Sequence, residues 1–76
     1  ELKKLAKYCF EKCLAISPDF SYAHFSLGFL YYNEENYRLA ETHWIDSLKA
    51  GLTDEMREEV VVGLGRVKDK AAYENG

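Results

Sequence analysis

The chain has 76 residues with 10 Lys and Arg against 13 Asp and Glu, a net charge of −3, and 47% apolar residues that include six Tyr, four Phe and one Trp. That length sets a limit of one compact domain burying roughly 60% of its unfolded surface, and the aromatic content excludes a disordered chain. No apolar run approaches the roughly 18 to 20 residues needed to cross a bilayer, the opening residues are not expected to act as a charged-then-apolar leader, and the acidic balance disfavours nucleic acid as a partner.

The first element runs from Leu2 to Ile16, where Leu2, Leu5, Ala6, Cys9, Phe10, Cys13, Leu14 and Ile16 are spaced as one face of a helix. Residues 1–16 carry four Lys against two Glu, whereas residues 17–63 carry nine acids against three bases. The lysines are spread around the helix, as on a solvated surface. Cys9 and Cys13 lie four apart, on a shared face but with directions poorly suited to a disulfide. Two buried, reduced thiols are expected, which favours a cytoplasmic setting.

Ser17, Pro18 and Asp19 stop this helix, because Pro has no backbone donor and forces its predecessor out of helical geometry. A second helix is expected over 21–33 and a third over 37–50. Asn36 is placed as the N-cap of the third, and Gly51 suits a left-handed residue after its end. Leu52 beyond that Gly is positioned to fold back on the last turn. Thr53 is the next N-cap, followed by Asp54 and Glu55, whose charges favour a helix N-terminus. The fourth helix is expected to reach Lys70, with 71–76 a fraying tail. The fold class that results is all-α, four antiparallel helices in one domain.

A shift of the sequence on itself by 34 positions lays Leu5 on Leu39, Ala6 on Ala40, Phe10 on Trp44, Cys13 on Ser47 and Leu14 on Leu48. The first and third helices are copies, and a period in this range marks stacked helical hairpins. On these residues, together with Leu27, Gly28 and Tyr31 in the second helix and Pro18 before it, the chain resembles the tetratricopeptide repeat family. The likeness covers residues 2 to about 52: residues 2–17 stand as the second helix of a partial repeat, 21–52 as one essentially complete repeat, and 53–70 as a divergent repeat start or cap. Two departures fall in the turns, where Glu35 stands in place of the usual Gly and Leu52 in place of the second terminal Pro. In the fourth helix Val61 and Leu64 keep the register of Leu27 and Leu30, but Val62 replaces Gly28 and Gly65 replaces Tyr31. The resemblance implies a short α-solenoid, a chain opening inside a repeat, and an N-terminal helix layer open to self-association.

The second helix is apolar almost all round, with Leu27, Leu30 and Tyr31 on one side and Tyr22, Phe25, Phe29 and Tyr32 in a second stripe. In the resembled family the first helices of successive repeats line a concave groove that holds a peptide or partner helix. Carried over, that groove comprises Tyr22, Phe25, Ser26, Phe29, Tyr32 and Asn33, with Met56 and Glu59 from the fourth helix. The Lys, Asn and Arg with which some members grip a terminal carboxylate are replaced here by Phe25, Ser26 and Phe29. An aromatic groove beside Glu59 suits an apolar segment flanked by a basic residue. The expected function is therefore a protein-interaction scaffold, with a purely architectural or self-associating repeat segment as the alternative.

No catalytic residues, cofactor or metal are expected. Cys9, Cys13, His24 and His43 match no closed zinc spacing, and no nucleophile and base are set beside an orienting group. Gly63 and Gly65 lie inside a helix rather than after a strand, so close helix packing explains them better than a phosphate loop.

Overall fold

The computed structural model describes the backbone of residues 2–75 and the side chains of residues 2–70. It consists of four helices, α1 (Leu2–Ile16), α2 (Ser21–Asn33), α3 (Tyr37–Ala50) and α4 (Asp54–Asn75), and no strand occurs among the described residues. The side chains of the expected tail, 71–76, lie outside the described residues; the helix itself is drawn to Asn75.

Each boundary follows from local chemistry. After α1 the Ser17 amide still donates to the Cys13 carbonyl at 2.8 Å, and Pro18, with no N–H, ends the ladder. Between α2 and α3 the amide of Glu35 donates to the Tyr32 carbonyl at 3.0 Å and that of Asn36 to Tyr31 at 2.9 Å. These two bonds form a Schellman cap whose left-handed residue is Glu35, at φ 62°. The turn thus keeps the backbone that glycine favours although glycine is absent. Asn36 caps α3 by accepting the Leu39 amide at 3.5 Å, and Thr53 caps α4 by accepting the Met56 amide at 3.2 Å. Gly51 differs from expectation. Its φ of 105° is positive, but its ψ of 127° is extended, so the chain turns straight out of the helix rather than through a left-handed residue. Leu52 then packs, half-buried, on the core.

The helices alternate in direction: His24 meets His43 and Tyr32 meets Tyr37 across the α2–α3 hairpin, an antiparallel pairing. α1 runs alongside α2 alone, while α3 lies between α2 and α4. The core sits in the α2–α3–α4 region, where Ala23, Leu27, Ala40, Trp44, Ser47 and Val60 are fully buried and Val67 nearly so. Ala40, Trp44 and Ser47 belong to the motif that repeats in α1, yet Ala6, Phe10 and Cys13 are only half-buried. A copied motif has met two environments because α3 has a helix on both sides and α1 on one.

The same fact corrects the thiols. Cys9 is exposed and Cys13 half-buried, both free, rather than a buried pair, because α2 covers one side of α1 only. A salt bridge from Lys7 to both carboxylate oxygens of Glu34, at 3.0 Å, ties α1 to the end of α2. That hydrogen bond, with the Glu34 charge, holds the Lys7 ammonium above its usual range.

Candidate protein-binding groove

α2 is apolar nearly all round because it serves two neighbours and a cleft at once. Ala23, Leu27 and Gly28 face inward and are buried. The other stripe forms a continuous run of rings. Tyr22 stacks on Phe25 at 6.2 Å, Phe25 meets Phe29 edge-on at 5.1 Å, and Phe29 meets Trp44 edge-on at 4.9 Å. Tyr32 continues it against Trp44 at 5.8 Å and Tyr37 at 5.4 Å. Edge-to-face pairs at these separations add to the stabilisation from burial alone, so the run is held in shape before any ligand arrives.

Trp44 anchors the arrangement. Its indole lies fully buried in a slot whose sides are Gly28 of α2 and Gly63 of α4, since a Cβ added at either would overlap the ring. Its Nε1 donates to the Phe25 carbonyl at 3.3 Å. Gly63 therefore does permit close packing; Gly65, on the open side of α4, has no neighbour within 4 Å.

Between α2 and α4 lies an open cleft of about 860 Å³. Phe25, Phe29 and Tyr32 form its floor, backed by the fully buried Trp44, with Asn33 at one end, and Glu55, Glu58, Glu59, Val62, Gly63 and Arg66 line the α4 side. Five of the eight residues expected from sequence, Phe25, Phe29, Tyr32, Asn33 and Glu59, meet there. Tyr22, Ser26 and Met56 do not line it. Tyr22 is drawn toward α1 by Phe10, whose ring it meets at 6.0 Å, and is half exposed; Ser26 and Met56 are half-buried. The sequence argument missed Trp44 as the ring that backs the floor, and most of the acidic wall. The spacing of Glu55, Glu58, Glu59 and Val62 does mark one helical side.

On the opposite side of the hairpin His24 and His43 bond to each other through Nδ1 at 3.0 Å, and His24 Nε2 lies 2.8 Å from the Pro18 carbonyl. A carbonyl only accepts, so His24 carries its proton on Nε2 and receives one at Nδ1 from His43. Burial pushes the His43 pKa below its ordinary value, and the neighbouring His24 adds to the shift. Burial also raises the Tyr31 hydroxyl, whose ring stacks on His43 at 5.5 Å. Among the described residues no group of three or more His, Cys, Asp or Glu is placed to hold a metal ion, and no helix is long and apolar enough to cross a membrane. No family model, curated protein or solved structure matches the chain.

Proposed function

We propose that this chain is a protein-interaction module of the tetratricopeptide-repeat kind that holds an apolar peptide or helix, flanked by basic residues, in the cleft between α2 and α4. One observation carries the proposal: a preformed aromatic floor of Phe25, Phe29 and Tyr32, backed by the fully buried Trp44, lies beside a wall with three glutamates and one arginine. The rings offer rigid contact area with little rotamer entropy to lose, and the carboxylates favour a cationic flank. Catalysis forms no part of this assignment, and the free thiols suit a reducing compartment such as the cytoplasm.

Panning a random peptide library on the chain tests the assignment. Enriched peptides should combine aromatic or aliphatic residues with Lys or Arg. Tyr32→Ala should weaken their binding about tenfold or more, about 1.4 kcal/mol, and Glu59→Gln should reduce its salt dependence. Tyr22→Ala, outside the cleft, should change it little. Tight binding by Tyr32→Ala and Phe29→Ala chains that remain helical by circular dichroism would rule the cleft out.

A further inference from the structure

Along the cleft the charge changes sign. Glu55, Glu58, Glu59, Val62 and Arg66 recur at helical spacing and form one stripe on the cleft side of α4, with the acids first and the base last. At 1.5 Å per residue, Glu58 and Arg66 stand about 12 Å apart along the axis. α2 and α4 both run antiparallel to α3: Tyr37, which opens α3, meets Tyr32 near the end of α2, and the Lys70 ammonium far along α4 lies 5.8 Å from its ring. Arg66 therefore stands at the end of the cleft where Tyr32 and Asn33 lie, and the glutamates stand toward Phe25.

The two ion pairs among the described residues lie off the cleft. Asp54 pairs with Arg57 at 3.5 Å, and Glu34, next to Asn33, with Lys7 of α1 at 3.0 Å. Glu55, Glu58, Glu59 and Arg66 are exposed and form no ion pair among the described residues. Glu55 also serves the α4 N-terminus, but Glu58 and Glu59 lie past its first turn.

The assignment of the cleft as a peptide site is the premise here. From it we propose that the cleft reads the polarity of its ligand. The segment it holds is dipolar, with a basic side chain over Glu58 and Glu59 and a side-chain carboxylate on Arg66 at the other end of the apolar stretch. Arg66 is then the residue that sets specificity: a segment basic at both ends brings like charge onto it, and a segment acidic at both ends brings like charge onto the glutamates. The separation of the charges sets their spacing in the ligand, because about 12 Å is spanned by about four residues of extended chain or about eight of helix.

Random peptides fused through their C-terminus, and so without a terminal carboxylate, are panned separately on the wild type, Arg66→Gln and Arg66→Glu. Position 66 is exposed, so both variants should keep the helical circular dichroism of the parent. On the wild type the enriched peptides should carry Lys or Arg and, about four or eight residues away, Asp or Glu. Arg66→Gln should lose the enrichment for acids, and Arg66→Glu should replace it with bases at the same spacing. A wild-type-selected peptide synthesised with that acid changed to Lys should bind the wild type several-fold more weakly than its parent, and Arg66→Glu several-fold more tightly. A residue that merely supported the fold would not produce this crossover. Wild-type pools without acids at that spacing, or identical pools from the wild type and Arg66→Glu, overturn the proposal; the cleft assignment survives that result if Phe29→Ala abolishes enrichment. A wild type that enriches no peptide, or enrichment undiminished by Phe29→Ala, removes the cleft assignment and this inference with it.

Discussion

Trp44 is seated by the absence of two side chains. In a helix Ala is favoured over Gly by about 1 kcal/mol, whereas forcing a methyl into a filled core costs about 1 to 3 kcal/mol or more. At Gly28 and Gly63 the indole occupies the space a methyl needs, so overpacking wins, and Gly28→Ala and Gly63→Ala should each lower the urea midpoint. Gly65→Ala, into open space, should raise it. This is also where the sequence was least informative: Gly63 and Gly65 look alike on paper, and the 34-residue shift sets Val62, not Gly63, on Gly28. Which glycine receives the ring depends on which side of α4 faces α3, a property of packing that periodicity cannot supply. The same limitation separated Phe25 from Tyr22. Both belong to one stripe, but Phe10 of α1 draws Tyr22 away from the cleft.

The helices were the legible part, because their ends are written in chemistry that acts over three or four residues. Pro18 denies a donor, Asn36 and Thr53 each accept a free amide, and all three act where they stand in sequence. Glu35 is the exception, a non-glycine residue with positive φ in a turn whose hydrogen bonds are otherwise complete. A side chain there costs about 1 to 2 kcal/mol, and glycine's greater freedom in the unfolded chain offsets about 0.5 to 1 kcal/mol of any relief. Glu35→Gly should therefore stabilise the chain by up to about 1 kcal/mol, read as a higher urea midpoint with unchanged slope. An unchanged or lower midpoint would mean that the side chain makes compensating interactions.

For the molecule as a whole, the imidazole pair links the turn at Pro18, α2 and α3, and it makes stability depend on pH. The folded pKa of His43 lies below its ordinary 6.5. As pH falls through 6.5 the unfolded chain therefore binds a proton at His43 that the folded chain resists, and stability declines until the folded pKa is passed. Above 6.5 this contribution is flat. Urea midpoints measured between about pH 5.5 and 8 should show the decline, and His43→Gln should remove most of it; an undiminished slope in that variant would assign the effect elsewhere. The 34-residue copy picked out Ala40, Trp44 and Ser47 as counterparts of Ala6, Phe10 and Cys13, and the structure buries the first three completely. It could not show that Ala6, Phe10 and Cys13 would be only half covered, because a motif specifies a face and not how many neighbours will meet it.

The slot around Trp44 has an optical consequence. The chain contains a single tryptophan, and its indole touches α2 and α4 while belonging to α3. Its emission therefore gauges the seating of those three helices and is nearly blind to α1, which buries no residue completely and runs alongside α2 alone. A chain whose first helix had come loose would still fluoresce like the native protein.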